Sequence, residues 1–264
     1  MNRISHQNHD VEWNAARAAD LYGVEYWGAG HFQVSADGLV QVTAETGGGR
    51  GIINLLDIVD GLSERGLPMP VLLRIENLLD AQIAQINESF ARAIAQSGYR
   101  GRYRGVFPIK VNQQSQIIDE VASFGARFGH GLEAGSKAEL LIALATLEAM
   151  NGYIVCNGYK DEEFINLGLM AQKLGYRIFF VVETPAELPL LIQCSKAAGI
   201  RPRIGARVKL SSRVSGHWNA TSGDRSIFGL TSMQLIDLVD TLKAHAMLDC
   251  MEMLHVHLGS QIPN

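Results

Sequence analysis

Gly131-Leu132-Glu133-Ala134-Gly135-Ser136-Lys137-Ala138-Glu139-Leu140 reads as the end of a strand followed at once by the start of a helix. Ser136 and Glu139 have the S-x-x-E spacing of a capping box, in which a hydroxyl and a carboxylate satisfy free N–H groups of the first helical turn. Glu133 precedes that cap, at the strand's C-terminal end, where a carboxylate would point into the mouth of a barrel. Outward from this stretch the same grammar repeats. Apolar runs at 105–109, 128–132, 152–156, 177–182, 203–208 and 252–257 alternate with helical stretches such as Ser115–Ser123, Ala138–Met150, Pro185–Ala198 and Met233–Ala246. Upstream, Pro70–Ile75 reads as a further short strand, and Ile83, Ile86, Phe90 and Ile94 recur at the three- and four-residue spacing of an amphipathic helix. Strand then helix, repeated, means α/β with a parallel sheet. The repeat fits either a (β/α)₈ barrel or a doubly wound sheet, and periodicity alone does not separate them.

The N-terminal part is written differently. Over residues 26–42, Phe32 and Val34 alternate with polar neighbours, Asp37-Gly38 signals a turn, and Val40 and Val42 resume the alternation, which predicts a β-hairpin. Gly28-Ala29-Gly30 lacks the third glycine of a dinucleotide fingerprint and Gly47-Gly48-Gly49 follows no clear strand, so both read as turn and linker. Two domains are expected: an N-terminal β element and linker over 1–69, and an α/β domain over 70–264. The chain stops at Leu258-Gly259-Ser260-Gln261-Ile262-Pro263-Asn264, after a strand and before any helix to cover it, so the α/β domain is expected to be truncated at its C-terminal end.

Composition excludes several classes. With 47% hydrophobic and 19% charged residues and a net charge of −4, the chain has neither the basic footprint of a nucleic-acid binder nor a membrane-binding character. It contains no apolar run of about eighteen residues, and its opening lacks a secretory core, so a cytoplasmic protein is expected. Cys156, Cys194 and Cys250 are scattered without metal-type spacing.

Residues that carry chemistry gather at the predicted strand ends. Lys110, closing Phe107-Pro108-Ile109-Lys110, is placed for covalent amine catalysis, although an exposed lysine with its stem on apolar surface would present the same local pattern. Arg207 ends the 203–208 run and is suited to fix a carboxylate, phosphate or phenolate, or to pair within the core. His255 and His257 share one strand face. Two histidines invite a metal reading, but no third ligand follows; Gly259-Ser260 reads better as an anion-binding turn, with one histidine as a ring-stacking partner. For Glu139, capping competes with a site role. A lysine, carboxylates, an arginine, a flat histidine and a phosphate turn are what pyridoxal 5′-phosphate requires.

At Phe107–Gln113, Gly131–Leu140, Asn157-Gly158-Tyr159-Lys160-Asp161 and His255–Gln261 the chain resembles the biosynthetic arginine decarboxylases of bacteria and plants, which are alanine-racemase-like, fold type III pyridoxal-phosphate enzymes. The resemblance also takes in Asp20–Val24 and Tyr26-Trp27-Gly28. It implies an incomplete (β/α)₈ TIM-type barrel holding about six of eight strands, preceded by a β-hairpin element that belongs to a β-domain. It makes Lys110 the residue bonded to the cofactor, His257 the ring-stacking partner and Ser260 a phosphate contact. Glu133 and Arg207 would line the cofactor, with Glu139 and Gly259 as secondary candidates. The implied reaction is decarboxylation of L-arginine to agmatine in polyamine biosynthesis, by a homo-oligomer in the full-length form, and the family is associated with Mg²⁺. The resemblance places the carboxylate that faces the pyridine nitrogen, and the proton donor, beyond residue 264. Another fold type III decarboxylase or racemase, or a non-catalytic pyridoxal-phosphate binder, would use the same Lys110.

Overall fold

The computed structural model describes residues 13–46, 49–210 and 226–259. Two compact units divide the chain, one ending at Gln82 and the other beginning at Ile83.

In the first unit, α1 (Ala15–Leu21) is capped by Asn14, whose side chain accepts from the Arg17 N–H, and α2 (Val24–Gly28) follows. Strands β1 (Phe32–Val34), β2 (Val40–Thr46) and β3 (Gly49–Asn54) then form an antiparallel sheet in that order. The Asp37-Gly38 turn forms as expected, with Gly38 at φ +84° and the Leu39 N–H donating to Ser35 Oγ at 3.0 Å. The predicted hairpin forms from β1 and β2, and Gly49 opens a third strand that extends it. One bound is corrected: the β-structure begins at Phe32 and not at 26, because Val24 and Gly28 bury on one side of a short helix. Gly47 and Gly48 lie outside the described residues. Helix α3 (Leu55–Glu64) ends the sheet, and α4 (Glu76–Ser97) spans the division. The strand expected at Pro70–Ile75 is absent: Pro70 has no N–H to donate, Leu72 is exposed, and among the described residues no strand pairs with this segment.

The second unit is a six-stranded parallel sheet in sequential order, β4 (Val106–Pro108), β5 (Gly131–Ala134), β6 (Tyr153–Cys156), β7 (Arg177–Val182), β8 (Arg203–Val208) and β9 (Met251–Val256). The connecting helices are α5 (Ser115–Gly125), α6 (Lys137–Thr146), α7 (Glu162–Lys173), α8 (Glu187–Ala198) and α9 (Ser232–Ala244). Sequential parallel order, with a helix between each pair of successive strands, is the winding of a barrel arc and not of a doubly wound sheet, whose strand order reverses. The α/β fold with an incomplete barrel thus stands. Strand β5 starts three residues later than its apolar run, because Phe128 closes the turn after α5 and Gly129, at φ +65°, reverses the chain. Helix α6 stops at Thr146 and not at 150, where Leu147 turns to extended backbone.

Strand side chains alternate between two faces. On the helix-covered face, Leu132, Ala134, Ile154, Cys156, Ile178, Phe180, Ile204 and Ala206 are buried. Opposite them α7 buries Phe164, Ile165 and Leu169. Each such large side chain contributes about 1.5–3 kcal/mol by leaving water. Gly168 lets α7 close on the strand, since a Cβ there would meet the Phe180 ring at 2.6 Å. The other face of the sheet carries Lys110, Glu133, Asn157, Glu183, Arg207, His255 and His257 at or beyond the strand ends.

Candidate functional site

Register explains why three loops meet at one point. Pro108 pairs with Glu133, and Glu133 with Val155. Two residues on from Pro108 and from Val155 stand Lys110 and Asn157, on the same face as Glu133. Lys110 lies in a single 3₁₀ turn, Ile109–Val111, held down by fully buried Ile109. Its Nζ is 3.1 Å from Glu133 Oε1, and Asn157 Nδ2 donates to that same oxygen at 3.2 Å. The lysine side chain remains 62% exposed, while the Glu133 side chain is 6% exposed. Glu133 Oε2 and Asn157 Oδ1 are buried with no hydrogen-bond partner among the described residues.

Glu139 acts in the cap, though not on the atom expected. Ser136 Oγ accepts from the Glu139 N–H at 3.3 Å, as the box predicts. The Glu139 carboxylate, however, accepts from the Gly135 N–H at 2.6 Å, one residue earlier, and from Gln113 Nε2 at 3.4 Å. It therefore ties the β5–α6 turn to the segment after Lys110. Asp161 caps α7, its Oδ1 accepting from the Phe164 N–H at 2.9 Å.

On the other side of the mouth, Arg207 on β8 pairs in register with His255 on β9, and His257 follows on the same face. Burial, and then the Arg207 charge, hold the His255 imidazole below its ordinary range; burial, Arg207 and Lys110 do the same to His257. Both rings are thus kept neutral, the state suited to stacking. His255 Nδ1 is buried without a partner among the described residues. Gly259 has φ +137°, a backbone open to glycine alone, while Ser260 lies outside the described residues.

Three buried residues escaped the sequence reading. Glu183, just beyond β7, pairs with Arg207 through Oε1 and accepts the Gly158 N–H through Oε2 at 2.5 Å. Lys160 and Glu187 form an almost fully buried ion pair at 3.2 Å. The signal for Glu183 was the one that found Glu133: a carboxylate ending an apolar run, here Val181-Val182-Glu183. Lys160 and Glu187 gave no such signal, since a lysine in a polar turn and a glutamate in a first helical turn are ordinary surface residues. Among the described residues no group of three or more His, Cys, Asp or Glu side chains is placed to hold a metal ion.

An exposed amine against a buried carboxylate thus shares the sheet's open face with two imidazoles and an arginine. Residues 83–264 match the family described as pyridoxal-dependent decarboxylase, pyridoxal binding domain. The chain belongs to this decarboxylase family. It is 45% identical, over 95% of its length, to a biosynthetic arginine decarboxylase of Gloeobacter violaceus, and 46% identical, over 97%, to one of Rhodopirellula baltica. Those matches cover 39% and 38% of the two relatives, so this chain spans well under half their length. The crystal structure of the biosynthetic arginine decarboxylase from Campylobacter jejuni superposes with a TM-score of 0.79 at 36% identity, covering 90% of this chain and 38% of that one. A diaminopimelate decarboxylase from M. jannaschii, at 23% identity and a TM-score of 0.63, shares the fold over 90% of this chain and 50% of its own. The pyridoxal group that defines the family fits the residues present: Lys110 offers the amine, and Glu133 Oε2 and His255 Nδ1 are polar atoms awaiting partners.

Proposed function

We propose that the chain is the cofactor-binding part of a pyridoxal-phosphate-dependent arginine decarboxylase, which converts L-arginine to agmatine and CO₂ in polyamine biosynthesis. The observation that carries this reading is the exposed Lys110 amine, 3.1 Å from Glu133 at the end of a parallel-barrel strand. The similarity to proteins named arginine decarboxylases supports the substrate.

In this reading Lys110 would hold the cofactor through its amine, and Glu133, sharing one oxygen between Lys110 and Asn157, would orient that amine. His257, kept neutral, offers its ring face for stacking. By the resemblance, Gly259 and Ser260 would bind the phosphate by backbone N–H and hydroxyl donors. Arg207 lines the ring, its charge directed by Glu183. Glu139 keeps the β5–α6 turn fixed beneath these groups. When bound, pyridoxal phosphate supplies the electron sink for the pair left at the substrate Cα as CO₂ departs.

The same reading takes residues 1–69 as an N-terminal β element and 70–264 as the barrel, in a homo-oligomeric whole protein of the cytoplasm. No helix among the described residues is long and apolar enough to cross a membrane. We assign no residues to Mg²⁺.

Two measurements test the proposal. Borohydride reduction with pyridoxal phosphate should leave a pyridoxyl label on the Lys110 peptide, absent after Lys110→Ala. The whole protein should release CO₂ from arginine in preference to ornithine or lysine. A label spread over other lysines would overturn the cofactor assignment, and preferential release from another amino acid would overturn the substrate.

A further inference from the structure

Gly158 is held from three directions. Its N–H donates to Glu183 Oε2 at 2.5 Å, and its carbonyl accepts from Lys160 Nζ at 2.7 Å. A Cβ at this residue, which has φ +71°, would lie 2.3 Å from the Gly135 carbonyl, so the β6–α7 turn rests directly on the β5–α6 turn. The residue before it is Asn157, which donates to Glu133. Glu183 itself is 3% exposed, and its second oxygen pairs with Arg207. Glu187 in turn accepts from the Glu183 N–H at 2.7 Å and pairs with Lys160. Each carboxylate oxygen of Glu183 therefore serves a different side of the mouth, one the turn that reaches Glu133, the other Arg207.

We infer that Glu183 is a positioning residue, which through Gly158 sets Asn157 on Glu133 and directly sets Arg207, so that both halves of the cofactor site are held in one geometry. A buried arginine with a carboxylate partner is fixed in direction, whereas one without is free to turn toward any anion. A backbone N–H that ends on the same carboxylate transmits that direction to the next loop. The short polar chain from Arg207 to Gly158 spans β8, β7 and β6, the stretch of sheet between the histidines and Lys110. The inference rests on the cofactor reading above.

The test compares Glu183→Gln, Glu183→Asp, Arg207→Gln and the double variant Glu183→Gln/Arg207→Gln, with thermal melting as a fold control and pyridoxal phosphate affinity as the readout. Glu183→Gln should weaken binding by about tenfold, in keeping with the coupling found between contacting charged groups. Glu183→Asp should recover most of it. In the Arg207→Gln background Glu183→Gln should cost clearly less than it does alone. Equal losses in both backgrounds, or an aspartate variant no better than glutamine, would overturn the inference. Should the glutamine variant fail to fold, amide exchange in the unaltered protein decides: strong protection of the Gly158 N–H is expected, and exchange at an open-loop rate overturns the assignment. If Lys110→Ala retains the borohydride label, it is the cofactor reading that fails, and the Gly158 exchange result still judges Glu183.

Discussion

Glu133 Oε1 receives both Lys110 Nζ, at 3.1 Å, and Asn157 Nδ2, at 3.2 Å, while its other oxygen is buried without a partner among the described residues. One carboxylate thus joins the ends of β4, β5 and β6 and keeps one buried oxygen free of partners among the described residues. Glu133→Gln should raise the dissociation constant for pyridoxal phosphate by about ten- to hundredfold, the weight of a hydrogen bond to a charged group. Stability should change by less than about 1 kcal/mol, because the Lys110 partner is largely exposed and its pairing screened. Binding titrations beside thermal melts check both numbers.

The Lys160–Glu187 pair behaves differently because it is buried. Lys160→Met alone should destabilise the protein by about 3–5 kcal/mol, since it leaves the Glu187 carboxylate without its counter-charge. Lys160→Met/Glu187→Leu should regain a large part of that loss. Denaturant unfolding of the three proteins measures it, and a double variant no more stable than the single one would contradict the account.

Gly158→Ala combines a left-handed backbone with a Cβ aimed at the Gly135 carbonyl. A cost of about 2–4 kcal/mol is expected from strain and overpacking together. Gly199→Ala, also left-handed but with open space around its Cβ, should cost only about 1 kcal/mol.

His130, His255 and His257 are all held below the ordinary imidazole range, each first by burial. The folded protein therefore binds fewer protons than the unfolded chain as pH falls through about 6.5, the unperturbed value. Stability is complete above that pH and declines below it until the folded-state values are passed. The melting temperature should drop on going from pH 7 to pH 5, and NMR titration should find His255 and His257 still neutral where a free imidazole is half protonated.

Much of the strand–helix alternation was legible because its signals are local, whereas the barrel winding was not. The Ser136 cap, the apolar runs and the helical spacing of Ile83 and Ile86 each depend on neighbours within one or two turns. The Pro70–Ile75 run misled for the complementary reason: strand residues alone do not make a strand, which needs a partner ladder that no local pattern reveals. Glu139 shows the same boundary within one residue, its place in a cap written in S-x-x-E but its bond to the Gly135 N–H decided by the turn's final path.

The site divides along that line. Residue type and strand-end position marked Lys110, Glu133, Arg207, the pair His255 and His257, and Ser260 in the bare chain, the resemblance alone choosing His257; Ser260 lies outside the described residues. What sequence could not contain was pairing. Glu183 reaches Arg207 and Gly158 across 24 and 25 positions of chain, and Lys160 reaches Glu187 across 27. Such contacts follow from parallel register, which brings residues one βα unit apart to adjacent strand ends, and register is fixed only when the strands pair and the helices bury their apolar faces.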